Sequence, residues 1–268
     1  SGKWTIDKLL DYIKLGYKDL NGNAQPDKDD QFGYLTVGTW GSAIPFMISS
    51  DISFIKRDEQ GIPSIAMNND RSVKLLEKLN EVFWDSASIS SMSMEEIIPR
   101  FINSQALFIG YQRLGSMDAL RDMKDDMGLL PYPKLDDAQE NYVTSTHDIT
   151  EVGAIPITCQ KVDKVCAVLE ALSRETEKLV LPAYYETALK VKYVRDDVSA
   201  QMIDIIHDNI SVSFPLAYNN KVNGIFLAKC FADPLGQKST DFASAYAAAE
   251  PGAIKALDDI INTFMENN

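Results

Sequence analysis

Short apolar runs alternate with amphipathic helical stretches along the first half of the chain, and this alternation constrains the fold more than any other feature. Residues 68–83 place Val73, Leu76 and Phe83 on one face of a helix. The run 106–110, Ala-Leu-Phe-Ile-Gly, has the length and composition of a buried strand. Helices that alternate with short apolar strands are typical of the α/β class, so we predict an α/β fold.

The remaining local patterns predict more helices and one hairpin. Thr5 is the predicted N-cap of a helix over residues 4–17. Residues 52–67 indicate a hairpin, and residues 128–133 indicate a strand that prolines interrupt. No repeat of fixed period occurs, which argues against a solenoid. Within residues 39–50, a helix is predicted after Pro45. Further helices are predicted at 94–105, 117–123, 161–174, 176–190, 197–210, 220–232 and 239–265.

Charge and composition narrow the classes of partner. The 268 residues carry a formal net charge of -13, and such an acidic surface repels nucleic-acid phosphates and anionic lipid. Neutral ligands and cations stay compatible with it. No apolar run approaches the roughly 20 residues that span a bilayer. The cysteines are Cys159, Cys166 and Cys230, without a CxxC pair, which favours free thiols over a disulfide framework or a zinc site.

Four stretches, in this order and spacing, resemble the family 1 extracellular solute-binding proteins. Residues 4–10, Trp-Thr-Ile-Asp-Lys-Leu-Leu, are similar to the family's W-T-x-D-x-L helix. Residues 101–108 are similar to its F-x-x-G-x-A-L-F segment, with Ser104 where the family usually has glycine. Residues 120–134 are similar to its L-x-D-M…G-x-x-P-x-P-K stretch, and residues 242–246 resemble the start of its C-terminal helix.

This resemblance implies a helix-rich, periplasmic-binding-protein-like type II architecture, in which two α/β lobes close on a ligand. It implies that roughly the first third of a precursor, with a lipoprotein signal, lies outside this sequence and leaves the first lobe incomplete. Residues 1–145 would then be mostly the second lobe, and residues 146–268 the hinge return and helix-rich segments shared between lobes. The family expectation is an extracellular lipoprotein, or a periplasmic protein, that passes a sugar or oligosaccharide to ABC transporter permease subunits.

A calcium-like loop stands out between residues 19 and 30. Position 6 holds Ala24 instead of glycine, and position 12 is an aspartate instead of glutamate. Asparagine, glycine and aspartate also form ordinary solvated turns, so a structural calcium ion and a plain turn both remain open. The residues at the liganding positions 1, 3, 5, 7, 9 and 12 of an EF-hand loop are Asp19, Asn21, Asn23, Gln25, Asp27 and Asp30.

The sequence offers no catalytic motif, so we predict no catalytic residue. The nucleophile elbow GxSxG, the HExxH zinc motif and the phosphate-binding GxxxxGK[ST] loop are absent. His147 beside Asp148 is compatible with an acid/base pair, with a turn or hinge, or with a polar run 144–148 that faces a ligand. The alternatives to an importer component are a glycan-active enzyme with two carboxylates and a calcium-dependent surface or sensor module.

Aromatic and polar residues in loops are the candidates for sugar contact, because sugars offer apolar ring faces and hydroxyl groups. Tyr111 and Arg113 follow the apolar run that ends at residue 110, where an open α/β sheet binds its ligands. Trp40 is flanked by glycine-rich sequence, and Tyr185 lies in a helical segment after a proline. With His147 they are our predicted ligand contacts, and core packing is the alternative for each single residue.

Overall fold

The computed structural model describes residues 2–27, 29–121, 123–146, 153–193 and 196–266. The strands are β1 Phe32–Leu35, β2 Ile55–Arg57, β3 Pro63–Ile65, β4 Ser88–Ile89, β5 Ala106–Ile109, β6 Thr144–Ser145 and β7 Ile210–Ser211. The α-helices are α1 Ile6–Gly16, α2 Thr39–Ser49, α3 Asp70–Trp84, α4 Met94–Ile102, α5 Val162–Glu175, α6 Asp197–Asp208, α7 Phe214–Tyr218, α8 Asp233–Gly236 and α9 Phe242–Glu266. A 3-10 helix covers Leu114–Leu120, and π-helical segments cover Thr176–Val180, Ala183–Tyr193 and Ile225–Ala232.

Three parallel strands form the main sheet, in the order β4–β1–β5. Phe32 lies opposite Ala106 and Leu35 lies opposite Ile109 in the pairing of β1 with β5. Parallel neighbours need crossover connections, and α3 and α4 lie within those connections here. The alternation of helices and apolar runs in the sequence therefore corresponds to a real α/β unit.

Two smaller sheets also form within the described residues. β2 and β3 pair antiparallel, with Ile55 opposite Ile65, which confirms the predicted hairpin. β6 and β7 pair in parallel, with Thr144 opposite Ile210. This second pairing joins parts of the chain that are far apart in sequence, and it brings residues 144–146 towards helix α6.

Helix α1 shows how the local sequence sets both an element and its packing. The Oγ1 atom of Thr5 accepts a hydrogen bond from the backbone N–H of Lys8 at 3.4 Å, as predicted for an N-cap. Ile6, Leu9 and Ile13 then recur on the buried face of the helix. Burial of each such side chain contributes about 1.5–3 kcal/mol, so this stripe fixes α1 on the core.

The largest core cluster joins the beginning and the end of the chain. Phe46 of α2 and Phe83 of α3 contact each other in it, with ring centroids 5.9 Å apart. Phe231, in the segment Ile225–Ala232, packs against Phe242 of α9 at 5.5 Å in the same cluster. The C-terminal helices therefore stabilise the core that α1, α2 and α3 begin.

Two local predictions were wrong in detail. Residues 128–133 form no strand in the structure, because Pro131 and Pro133 lack the N–H groups that a strand ladder requires. Helix α2 begins at Thr39, ahead of its proline and not after it. Pro45 is tolerated inside this helix because the apolar residues around it are buried.

Helix α5 has a different environment from the other long helices. It is described throughout, and none of its side chains is buried. Val168, Leu169 and Leu172 are exposed by 58%, 48% and 59%, so apolar side chains at helical spacing face outward. Contiguous exposed apolar surface commonly marks a contact with another part of a protein. None of the helices in the described ranges is both long and apolar enough to pass through a membrane.

Candidate functional site

A cavity of about 1130 Å³ opens at the carboxyl end of strand β5. Ligands of open α/β sheets bind outside the carboxyl ends of the strands, so the location is the one that the topology favours. Strand β5 and the turn after it form one wall, residues 127–132 and 144–146 form a second, and α6 contributes the third. We call this cavity the cleft.

Strand β5 enters the cleft through Gly110. A Cβ atom at this position would lie 1.9 Å from the hydroxyl oxygen of Tyr34, so no other residue fits without displacing that ring. The backbone N–H of Gly110 donates to the carbonyl of Leu35 at 2.9 Å and closes the pairing of β5 with β1. The chain therefore leaves the sheet at a fixed point, and the next residue is Tyr111.

Tyr111 lies on the cleft wall in a constrained conformation. Its φ of 56° is in the left-handed region, which is uncommon for a residue with a side chain. Its backbone N–H donates to the hydroxyl of Tyr132 at 2.7 Å. Its ring lies against the first turn of α2, where a Cβ on Gly41 would be 3.0 Å from the Tyr111 Cζ atom. The predicted contact Tyr111 is thus at the cleft, with a defined ring position.

Polar side chains follow Tyr111 along the same wall. Arg113 is exposed and lines the cleft, as its position after the strand predicted. The Nε2 atom of Gln112 donates to the carbonyl of Gly110 at 3.2 Å, while its Oε1 atom is buried and has no hydrogen-bond partner within the described chain. Buried polar atoms are usually satisfied, so the Gln112 oxygen is available for a donor that enters the cleft.

The polar run that begins at Thr144 also reaches the cleft. Thr144, Ser145 and Thr146 line it, held by the pairing of β6 with β7. The Oγ1 atom of Thr144 is buried and finds no partner among the described residues. The sequence hypothesis that this run faces a ligand agrees with these positions, but His147 itself lies outside the described residues.

Two predicted contacts lie elsewhere. Trp40 is in the first turn of α2, 47% exposed, and is not among the described residues that line the cleft. Tyr185 packs against the ring of His207, with centroids 4.5 Å apart, and against a small apolar cluster with Ile203. Burial raises the pKa of the Tyr185 hydroxyl. This placement of Tyr185 agrees with core packing, the alternative to ligand contact.

Two of the acidic residues at the cleft, Asp196 and Asp125, make structural hydrogen bonds. Asp196 caps α6, and its Oδ1 atom accepts the backbone N–H of Ser199 at 2.8 Å. The hydrogen bonds from Ser199 lower the pKa of Asp196, so this carboxylate stays ionised as a cap. Asp125 accepts a hydrogen bond from the hydroxyl of Ser104. These carboxylates are used for folding contacts around the cleft.

The loop 19–30 is held together by its own polar atoms. The two carboxylate oxygens of Asp19 accept the backbone N–H groups of Gly22 at 2.6 Å and Ala24 at 2.7 Å. The amide nitrogens of Asn21 and Asn23 both donate to one oxygen of Asp27. These hydrogen bonds form a turn, and the calcium hypothesis and the plain-turn hypothesis both stay open.

The end of the loop is anchored to the protein body. Asp30 is fully buried and accepts hydrogen bonds from the Leu20 backbone and from the Tyr17 hydroxyl, each at 3.0 Å. Burial, and then the hydrogen bond to Asp30, raise the pKa of Tyr17. Among the described residues, no group of three or more His, Cys, Asp or Glu side chains is arranged to hold a metal ion. Calcium binding by the loop stays a prediction.

Comparison with known proteins identifies the fold of the chain. No protein-family model matches the chain, and no curated protein is similar to it in sequence. A solved structure that is similar is the maltose/maltodextrin-binding domain MalE from Bdellovibrio bacteriovorus bound to maltotriose, with a TM-score of 0.54 and 15% sequence identity. The match covers 97% of this chain and 67% of that one. The chain therefore has a helix-rich α/β fold of the periplasmic-binding-protein kind, as predicted.

Proposed function

We propose that the chain is the solute-binding component of an ABC importer and holds a sugar or oligosaccharide in the cleft. The observation that carries this proposal is the wall at the carboxyl end of β5, where the ring of Tyr111 stands beside the polar groups of Gln112 and Arg113. This wall lies in a fold shared with a protein that was solved with maltotriose bound.

The chemistry of the cleft suits a neutral polyol ligand. Aromatic and aliphatic side chains cover the apolar faces of sugar rings, and amide, hydroxyl and guanidinium groups satisfy the hydroxyls. Gln112 and Thr144 supply buried oxygen atoms that have no partner within the described chain. Arg113 supplies several N–H donors. The net charge of -13 does not oppose a neutral ligand.

The size of the cleft favours more than one sugar ring. Its volume of about 1130 Å³ exceeds the roughly 300–1,000 Å³ of pockets that hold drug-sized ligands. An oligosaccharide is thus the substrate class that we propose first. We propose binding without turnover, which agrees with the structural contacts of two carboxylates at the cleft: Asp196 caps α6, and Asp125 accepts from Ser104.

The cellular setting is part of the proposal. A binding protein of this fold works outside the cytoplasmic membrane, so we place the chain on the cell surface as a lipid-anchored protein, or in the periplasm. Its protein partners would be the permease subunits of an ABC transporter. Residues 1–145 would belong mostly to one lobe, and residues 146–268 would supply the hinge return and segments of both lobes.

Thermal unfolding in the presence of a sugar panel tests this proposal. A ligand that binds only the folded state raises the midpoint in a concentration-dependent manner, by a free energy of RT ln(1 + [L]/Kd). We expect a shift with maltotriose or another oligosaccharide, and a smaller shift at the same sugar concentration in Tyr111→Ala. The Trp84→Phe variant, changed at an aromatic residue outside the described cleft lining, is the control. Absence of any shift, or cleavage of the bound sugar, would contradict the proposal.

A further inference from the structure

The ring of Tyr111 is the aromatic group that the proposed function needs, and its backbone is in an unfavourable conformation. With φ at 56°, this residue adopts a geometry that glycine or asparagine would adopt more readily. A non-glycine residue stays in such a conformation only when surrounding contacts determine it. Those contacts are therefore part of the binding site.

One of these contacts comes from Tyr132. Its hydroxyl oxygen accepts the backbone N–H of Tyr111 at 2.7 Å, a short bond across 21 positions of sequence. Burial raises the pKa of Tyr132 to about 12, so the phenol stays protonated at neutral pH. The Tyr111 N–H lies beyond the ladder of β5 with β1, which ends with the hydrogen bond from Gly110 to Leu35.

Tyr132 is positioned by its own ring contact and by hydrogen bonds to its two neighbours in the chain. Its ring meets that of Phe46 edge to face, with centroids 5.1 Å apart and planes at 87°. The carbonyl of Pro131 accepts the indole N–H of Trp4 at 2.9 Å. The carbonyl of Pro133 accepts the hydroxyl of Ser49 at 3.2 Å. The Tyr132 hydroxyl is thus a fixed acceptor for the turn that carries Tyr111.

Gly41 limits the ring on its other side. A Cβ at this position would lie 3.0 Å from the Cζ atom and 3.3 Å from the hydroxyl oxygen of the Tyr111 ring. The absence of a side chain at Gly41 thus lets the ring rest on the first turn of α2. The hydrogen bond to Tyr132 holds the backbone of Tyr111, and the close approach to Gly41 limits its ring.

We infer that Tyr132 is a positioning residue: its hydroxyl holds the left-handed turn at Tyr111, so that the Tyr111 ring is already placed for stacking on a sugar. The effect on sugar binding that we infer rests on the proposed function. A ring that is fixed before the ligand arrives loses less conformational entropy on binding, and the affinity rises accordingly. Removal of the Tyr132 hydroxyl should therefore weaken binding without removing any stacking group.

The first test measures how firmly the backbone N–H of Tyr111 is held when no ligand is present. Tyr132→Phe removes one oxygen atom, and we expect amide hydrogen exchange at Tyr111, measured by NMR, to become at least about tenfold faster. Tyr142→Phe is the matched control, because the Tyr142 hydroxyl also accepts a backbone N–H, from Trp4 at 3.1 Å, outside the described cleft lining. Unchanged exchange at Tyr111 in Tyr132→Phe would overturn the inference.

The second test measures its effect on binding. Calorimetric titration with maltotriose should give a Kd about three- to tenfold higher for Tyr132→Phe, as expected for loss of one hydrogen bond. The control Tyr142→Phe should keep the wild-type Kd. In a Tyr111→Gly background, where the ring is absent and the left-handed turn is unstrained, Tyr132→Phe should have no further effect.

The outcomes separate the two proposals. A loss of affinity that persists in the Tyr111→Gly background would mean that Tyr132 contacts the sugar directly, and this would overturn the positioning role. A wild-type chain that binds neither maltotriose nor any other sugar would overturn the proposed function. In that case, the exchange rate of the Tyr111 amide still tests whether the Tyr132 hydroxyl holds the turn.

Discussion

The Oγ atom of Ser199 in α6 lies 3.1 Å from the backbone nitrogen of Leu129 and accepts its hydrogen. Both residues line the cleft, and they belong to walls that are 70 positions apart in sequence. Ser199 is 3% exposed, and its own N–H is held by Asp196. One buried hydroxyl therefore joins the wall formed by residues 127–132 to the helix that faces it.

We predict that Ser199→Ala lowers the free energy of unfolding by about 1 kcal/mol, because the Leu129 N–H loses its buried acceptor. The same change should weaken sugar binding several-fold, since the wall loses its tether. Denaturant unfolding and calorimetric titration measure the two effects. Ser53→Ala, at an exposed serine outside the described cleft lining, is the control. Equal effects of both variants on binding would refute the role of this bond.

Asp136 provides a prediction on pH. Burial raises the pKa of its carboxyl, but the hydrogen bond and charge of Lys74 at 2.7 Å, and then those of Arg71 at 3.4 Å, outweigh burial and lower it on balance. A carboxyl with a lowered folded-state pKa stabilises the fold above its unfolded pKa, and this contribution disappears as the pH falls through the folded-state value. The stabilisation is therefore present at neutral pH and absent in strong acid.

We expect Asp136→Asn to lower the unfolding midpoint by about 1–3 °C at pH 7, since both cations are partly exposed and the pair is screened by solvent. As the pH falls below the lowered folded-state pKa of Asp136, the variant and the wild type should converge. Scanning calorimetry across this range checks both statements. Asp137→Asn, at the exposed neighbouring position, should leave the midpoint at pH 7 unchanged. If the midpoints of Asp136→Asn and the wild type differed by the same amount at every pH, the stabilisation would not come from the ionised Asp136 carboxylate.

The apolar stripe of α5 gives a prediction on stability. Leu172 is 59% exposed, so Leu172→Gln should change the free energy of unfolding by less than about 0.5 kcal/mol. Leu79 in α3 is fully buried, and Leu79→Ala should cost about 2–5 kcal/mol. Denaturant unfolding of both variants measures the contrast. A cost above about 1 kcal/mol for Leu172→Gln would show that this face is covered by protein.

The elements of the fold were predictable wherever a local pattern determined them. The stripe of α3 and the Thr5 cap of α1 need only a few neighbouring residues, and the structure contains both. The pairing of β6 with β7 was not predictable. Each strand has two residues, which is too short for an alternation of apolar and polar side chains to be recognised. Only the folded chain brings Thr144 beside Ile210.

The cleft was predictable in part, for a physical reason. A turn after a buried parallel strand must emerge at the ligand-binding edge of the sheet, which placed Tyr111 and Arg113 there from the sequence alone. Gln112 was not singled out, because its buried and unpartnered oxygen is a property of the folded chain. Tyr185 and Trp40 lie on helical segments, where the partner of each face depends on tertiary packing.

The loop 19–30 carries the remaining prediction. The calcium hypothesis predicts that calcium raises the unfolding midpoint and that a chelator reverses the rise, because an ion bound only to the folded state stabilises it. The turn hypothesis predicts no effect of calcium, yet it predicts that Asp19→Ala lowers stability, since two backbone N–H groups lose their acceptor.

The two hypotheses separate most clearly in Asp27→Asn. This change keeps a side-chain oxygen and removes the charge that a divalent cation requires. Asp27→Asn also removes one of two accepting oxygens, so its own midpoint differs from that of the wild type in either case, and the response to calcium is what distinguishes the hypotheses. If calcium binds, calcium should raise the midpoint of the wild type and leave that of the variant unchanged. If the loop is a plain turn, calcium should shift neither midpoint. Differential scanning fluorimetry with millimolar calcium, with magnesium as the matched control cation, distinguishes these results.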